Sequence, residues 1–396
     1  MQAAKFLTEI VKIYSPSGRE DEVAKFISGA AGKLGFTKTE VDHFNNVVLE
    51  LGSPKAKKTI LLLGHIDTVR PFLPVKVEDG KLFGRGSVDA KGPFATFVFA
   101  ALAASSELKN TKIIVAGASQ EEKHGVGGRV LADRFQNLDA IVIGEPSGFA
   151  GITLGYKGTF SMEFFKRKNS AHSANDSEKN AIEEAIDFTQ KIKKFCDDFN
   201  SAKSIWEGLQ QRVEKFVFDE VNGVEQVKVR VKFRTPVGFD SAELKKVVGA
   251  NSNGGEIAYL QSWGSEAACL SPKNSPLVKA FLPAIRAEDG EPVFKVKTGT
   301  ADMNTFAKAF PKVPIVSYGP GDSNLDHTPE EHLDLGELEK AVKVLTNVLV
   351  QLDESLGIHH ARRHDSSIAT AYVCGSTIFQ GLRLLSVGSW PRESSS

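Results

Sequence analysis

Apolar residues at helical spacing open the chain. Ala3, Phe6, Leu7, Ile10, Val11 and Ile13 are interleaved with Lys5, Glu9 and Lys12, which predicts a surface helix and not a signal peptide. Ser15-Pro16-Ser17-Gly18 breaks this helix, and the acidic run Glu20-Asp21-Glu22 suits the start of a second one with the stripe Val23, Phe26, Ile27, Ala30 and Leu34. Short continuous apolar runs then recur at about 60–63, 113–115, 141–143 and 315–316. With helical segments between them, they predict an α/β fold: a mostly parallel sheet, flanked by helices and buried on both faces.

The middle of the chain has a different period. Phe160, Met162 and Phe164, and later Val227, Val229, Val231 and Phe233, alternate with polar residues as half-exposed antiparallel strands do, and an amphipathic helix at about 178–199 separates them. A smaller α+β domain is therefore expected at 155–265, inserted between two parts of the larger one at 1–154 and 266–352. Helix–strand alternation resumes with a helix at about 275–286, strands at 293–296 and 315–316, and a last helix at 335–352. Residues 353–396 form an atypical C-terminal tail. No lysine follows Lys343, and His359-His360, Arg362-Arg363 and several serines show no periodicity, as in an appended extension or a tail with a role of its own.

Composition narrows the function classes. At 396 residues the chain exceeds the roughly 250–300 at which single cores stop growing, so two packed units are natural. A hydrophobic fraction of 41% and a charged fraction of 25% argue against disorder. The 49 Lys and Arg balance 49 Asp and Glu, so no global field favours nucleic acid. No apolar run reaches the roughly 18 residues of a membrane span. Cys196, Cys269 and Cys374 are odd in number and widely spaced; they make neither a disulfide framework nor a zinc knuckle and suit a reducing cytoplasm.

Ligands of open α/β sheets bind beyond the carboxyl ends of strands, and there the sequence places a set of polar residues. His65 and Asp67 follow the run at 60–63, Glu121 and Glu122 follow 113–115, Glu145 follows 141–143, and the loop after 315–316 delivers His327. Asp89 sits in Gly84-Arg85-Gly86-Ser87-Val88-Asp89, just before a helix opened by Gly92-Pro93. Each alone has an ordinary structural explanation. Two histidines and several carboxylates at one sheet edge repel or titrate unless cations neutralise them, so the group implies metal. Imidazole with carboxylate suits zinc, cobalt or manganese better than calcium, and five ligand residues fit two divalent ions if one carboxylate bridges.

The motifs Gly64-His65-Ile66-Asp67-Thr68-Val69, Gly84 to Gly92, Glu121-Glu122 and Gly144-Glu145-Pro146, completed by His327, resemble those of the dinuclear metallopeptidase family. That family includes aminoacylases, glutamate carboxypeptidases, acetylornithine deacetylases and succinyl-diaminopimelate desuccinylases. The resemblance covers about 1–352. It implies an amidohydrolase with His65 and Glu145 on one ion, Glu122 and His327 on the other, and Asp89 between them, followed by a cis Asp89–Ala90 bond. Glu121 is then free to act as general base, and Asp67 holds His65. It further implies a homodimer in which His172, in Asn169-Ser170-Ala171-His172-Ser173-Ala174, reaches the partner's site and stabilises the oxyanion. Arg234 matches a looser arginine motif and binds a substrate carboxylate or makes a structural ion pair.

Gly155-Tyr156-Lys157-Gly158, Gly299-Thr300-Ala301-Asp302-Met303-Asn304 and Asp326-His327-Thr328-Pro329-Glu330-Glu331 resemble a narrower branch that releases lysine or ornithine from an acidic amino-group carrier protein. Ala301 departs from the serine common in that branch. Alternatives are a deacylase of N-acetyl-ornithine, N-acetyl-lysine or succinyl-diaminopimelate, a dipeptidase, and a non-catalytic metal-binding scaffold. Gly84-Arg85-Gly86 and Gly125-Val126-Gly127-Gly128 do not fit a phosphate loop. If the carrier is acidic, Lys157 and Lys166-Arg167-Lys168 are the basic cluster expected to receive it.

Overall fold

The computed structural model describes residues 2–123, 125–170 and 178–355. Helices α1 (Ala3–Lys12) and α2 (Asp21–Leu34) lead to strands β1 (Lys38–Val41), β2 (Val47–Leu51) and β3 (Lys58–His65). A hairpin of β4 (Lys76–Glu78) and β5 (Lys81–Phe83) precedes α3 (Lys91–Ala104), β6 (Thr111–Ala118), α4 (Val126–Arg134), β7 (Ala140–Gly144) and β8 (Gly151–Tyr156). Then come β9 (Gly158–Asn169), α5 (Ala181–Phe199), β10 (Gln210–Val221), β11 (Val224–Thr235), α6 (Ser241–Asn251) and β12 (Glu256–Glu266). The chain continues through β13 (Cys269–Leu270), α7 (Pro276–Ala287), β14 (Val293–Lys297), α8 (Asp302–Ala309), β15 (Ile315–Tyr318), β16 (His332–Asp334) and α9 (Leu335–Ser355).

The large sheet runs β1-β2-β6-β3-β7-β15-β8-β13, with β14 paired to β8. Its centre, β6-β3-β7-β15, is parallel; β2 and β8 flank it antiparallel, and β1 pairs antiparallel with β2. Alternation along β3 shows why its residues are continuously apolar. Ile60 and Leu62 enter one buried cluster with α1, α2, α3, α7 and α9, while Leu61 and Leu63 enter a second on the opposite face with residues of α4 and α8. Helix α3 is apolar all round, with Phe94, Phe97, Val98 and Ala101 buried, because it lies between the sheet and the outer helices α1 and α9.

A separate four-stranded antiparallel sheet, β10-β11-β9-β12, has its own core. Phe160, Met162 and Phe164 of β9 and Val227, Val229, Val231 and Phe233 of β11 point to one face, where Phe188 and Ile192 of α5 and Leu244 and Val248 of α6 cover them. Helix α5 starts later than its periodicity indicates, at Ala181, because Asn180 and Glu183 close a capping box there. Strand β10 was not expected: its Val213, Phe216, Phe218 and Val221 stay exposed, so no core-facing stripe marks it. Helix α9 runs beyond 352 to Ser355; Asp353 accepts bonds from the Lys109 and Asn110 amides, while Lys58 Nζ donates to Leu352 O. Residues 356–396, most of the sequence's atypical tail, lie outside the described residues.

Leu62 is completely buried in the middle of β3. Leu62→Ala is expected to lower unfolding free energy in urea by about 2–5 kcal/mol; an unchanged midpoint and slope would show that this strand does not carry the core.

Candidate active site

A cavity of about 920 Å³ opens beside the carboxyl ends of the parallel strands, and Asp89, Glu121, Glu122, Glu145, Arg234 and His327 line it. Position on the fold explains the convergence. His65 ends β3, Glu121 and Glu122 follow β6, Glu145 follows β7, and His327 comes after a single 3-10 turn beyond β15. Asp89 stands just before α3, with a cis peptide to Ala90. His172 lies outside the described residues.

Asp89 is the centre of the group. Its Oδ1 is 3.1 Å from His65 Nε2, and its Oδ2 is 3.1 Å from His327 Nε2, so one carboxylate spans two imidazoles. His327 Nε2 also lies 3.0 Å from Glu122 Oε1. Ligand-capable atoms of His65, Asp89 and Glu122 fall within 4.8 Å of one another. The backbone of His327 is left-handed, at φ 63°, as is that of Gln120, at φ 55°, immediately before the glutamate pair.

The surrounding hydrogen bonds fix these side chains. Asp67 is completely buried and accepts from the amides of Glu121 (3.0 Å) and Glu122 (3.1 Å) and from Ser17 Oγ (2.6 Å). His65 Nδ1 lies nearer the Asp67 carbonyl oxygen, at 3.1 Å, than its carboxylate, at 3.5 Å. Asp67 thus positions His65 mainly through its backbone, while its carboxylate shapes the Glu121–Glu122 turn. Glu331, whose role the sequence did not disclose, performs the same service for Asp89. Its Oε1 accepts from the amides of Gly86, Val88 and Asp89, and its Oε2 accepts from Arg85 Nη1 at 2.7 Å.

Electrostatics shows what the cavity lacks. Burial opposes ionisation of Asp89, yet hydrogen bonds from His327 and His65 hold its carboxyl far below the usual range. Those bonds, with Glu122, raise His327 to about 10. Burial and then the Asp89 charge push Glu122 and Glu145 up to about 7 each, and burial lifts Glu121 well above its ordinary value. Asp302 reaches about 7 and Asp326 about 8, again chiefly through burial. More carboxylate is gathered here than can ionise without added positive charge. Two imidazoles with several carboxylates, crowded and short of cation, form a donor set that fits divalent metal.

Asp302 and Asp326 both line the cavity and were missed as site residues. Each was visible in the sequence only as part of a motif; the signal was an acid at the start of α8 and another beside His327. Asp302 packs so closely on α4 that a Cβ at Gly128 would sit 2.0 Å from its Oδ1. Arg234 Nη1 donates to Thr300 Oγ1 at 2.8 Å and ion-pairs with none of the described residues. The lysine cluster behaves otherwise than expected. Lys157 is buried and donates to Ile205 O, while Lys166 and Lys168 both pair with Glu184. The Lys166 and Lys168 charges are thus engaged within the smaller sheet and its helix, while Arg167 between them is exposed and forms no ion pair with a described residue.

Comparison with known proteins gives this geometry its class. Residues 61–351 match the model of Peptidase family M20/M25/M40, and the chain belongs to that family. It is an amidohydrolase with a divalent-metal site. A LysW-lysine hydrolase of Deinococcus radiodurans is 38% identical over 356 residues, covering 88% of this chain and 97% of the relative. A putative LysW-lysine/LysW-ornithine hydrolase of Pyrococcus abyssi is 37% identical over 350 residues, covering 88% and 93%. Among solved structures, an M20 family metallo-carboxypeptidase from Sulfolobus solfataricus shares the fold with a TM-score of 0.72 at 19% identity, covering 89% of this chain and all 100% of that one. A dinuclear metal-binding M20 peptidase from Bacillus subtilis matches with a TM-score of 0.64 at 14% identity, covering 89% and 98%.

Glu331→Ala would leave the Arg85 guanidinium buried without its carboxylate and free three amides of the Asp89 loop. A loss of about 3–5 kcal/mol is expected, read as a lower Tm in calorimetry. An unaltered Tm would mean that the loop is held by other contacts.

Proposed function

We propose that this enzyme hydrolyses the amide joining lysine or ornithine to an amino-group carrier protein. The observation that carries the substrate is the naming of relatives 37–38% identical along nearly their whole length; the site geometry supports the hydrolysis. His65 and Glu145 would hold one divalent ion, Glu122 and His327 the other, and Asp89 both, since its two oxygens already face different imidazoles. Zinc suits the mixed nitrogen and oxygen donors, as do cobalt and manganese. Bound there, the cations would polarise the scissile carbonyl and lower the pKa of a water from about 15.7 towards 7.

Glu121 is the acid of the pair that, among the described residues, has no hydrogen bond from a histidine, whereas Glu122 meets His327. Its carboxylate takes a proton from the water whose oxygen bonds to the carbonyl carbon, then returns that proton to the nitrogen as the carbon–nitrogen bond breaks. Carboxylic acid and free amine result. Arg234 is available for a substrate carboxylate because it lines the cavity and forms no direct ion pair with a described residue, its Nη1 meeting only the Thr300 hydroxyl. His172 of the partner subunit would donate to the oxyanion.

Residues 155–265 act in this reading as the lid and dimerisation domain. Strand β10 is the outer strand of its sheet and exposes Phe216 and Phe218, 41% each, and Val221, 45%. A long apolar edge of this kind is normally covered, and pairing with a second copy across a two-fold axis would cover it. A reducing compartment, the cytoplasm, suits the free buried thiols of Cys196 and Cys269, which burial pushes up to about 12 and 11. Among the described residues no helix is long and apolar enough to cross a membrane.

Release of free amino acid should be assayed from carrier-linked lysine, carrier-linked ornithine, N-acetyl-lysine, N-acetyl-ornithine and succinyl-diaminopimelate. Carrier-linked substrates are expected to give the highest kcat/KM, and preference for a small N-acyl compound would replace this assignment. Glu121→Gln should cut turnover by about 10²–10⁴ while the metal content by elemental analysis is unchanged; normal turnover would dismiss Glu121 as the base. His172→Ala should also be impaired, and mixing it with Glu121→Gln should restore activity through hybrid dimers with one intact site. No recovery despite subunit exchange would place the histidine's action within its own chain.

A further inference from the structure

Lys157 is buried and Lys166 and Lys168 are paired, which leaves Arg167 as the one exposed, unpaired cation of the expected cluster among the described residues; a stronger basic edge lies elsewhere. Strand β14 has the features a carrier needs. It pairs with β8 along Gly151–Tyr156, while β13 takes the other side of β8 at Gly155 and Tyr156, so β14 is the outermost strand at this side of the sheet. Among the described residues no strand pairs with its free edge. Val293, Phe294 and Val296 are 48%, 38% and 43% exposed. An apolar strand edge left open in this way is a template for another extended chain.

Three lysines lie along it. Lys273, whose Nζ lies 5.3 Å from the Phe294 ring centroid, Lys295, which donates to Ser147 O, and Lys297 form no ion pair with a described residue. The strand reaches the catalytic centre: Phe294 to Lys297 line the cavity, and Lys297 is close enough to lower the carboxyls of Glu145 and Asp326. Apolar edge, unpaired lysines and continuity with the site occur together here.

We propose that the free edge of β14 is the docking strand for the polypeptide bearing the scissile amide. An acidic segment in extended conformation adds beside Val293–Lys297, its backbone completing the edge and its carboxylates meeting Lys273, Lys295 and Lys297. This rests on the carrier-linked substrate proposed above, and it assigns that partner a surface.

Lys273→Glu and Val293→Glu both change the edge outside the cavity lining. Each is expected to raise KM for carrier-linked lysine about tenfold at low salt, with a smaller effect at high salt and no change for N-acetyl-lysine. Lys166→Glu, whose charge is already paired, should leave KM for the conjugate unchanged. Metal-loaded, full-length Glu121→Gln should bind the conjugate by titration calorimetry and show slowed amide hydrogen exchange at 293–297. Turnover of the conjugate with unchanged KM in both variants and unprotected 293–297 amides would overturn the docking strand and leave the function intact. If the unaltered enzyme releases no lysine from the conjugate, the proposed function falls, and absent binding to Glu121→Gln then removes the docking strand as well. Protection of 293–297 that grows with enzyme concentration and needs no conjugate would give the edge to a second copy instead.

Discussion

The carboxylate of Asp89 faces two histidines at once, and the rest of the site is arranged around keeping it there. A buried acid with one oxygen on each imidazole ionises easily only because both rings donate to it, and its charge then adds to burial in raising the carboxyls of Glu122, Glu145 and Asp326. A pocket built this way has a standing demand for cations. That demand distinguishes it from a cluster of solvated acids, whose carboxyls can ionise independently.

Holding Asp89 requires backbone control more than side-chain packing. Glu331 collects the amides of Gly86, Val88 and Asp89 on a single oxygen and balances its own charge with Arg85, so the segment before α3 is tied to the region just beyond His327. Asp67 does likewise for the Glu121–Glu122 turn, linking the loop after β3 to the loop after β6. Below them Lys91 is buried and donates to Ile10 O and Ile13 O, which fastens α1 under the start of α3. Buried charges with their bonds satisfied act here as fasteners between loops distant in sequence.

Much of this architecture was legible in the residues. The four apolar runs became the four central parallel strands, because a strand covered on both faces must be apolar at every position. The ligand-type residues were legible for the same reason: they stand where those runs stop. Strand β10 was not legible, since its apolar residues face outward and serve no core in this chain. Nor could the sequence separate lysines by use. Lys166 and Lys168 both pair with Glu184, 18 and 16 positions away across a strand–helix contact, whereas Lys297 pairs with no described residue, and only the fold decides which acid each one meets. Glu331 and Glu330 look alike in the sequence; one is buried in the Asp89 loop and the other is exposed.

The order in which these parts leave the ribosome has a consequence. His65 and Asp89 are made early, but the second imidazole comes at position 327 and the carboxylate that organises the Asp89 loop only at 331. A nascent chain lacking its last segment has neither the full set of side chains nor the amide-gathering glutamate. The Asp89-centred cluster of two imidazoles therefore cannot be assembled on a half-synthesised protein, and it comes together only after the strands of the large sheet have all been made.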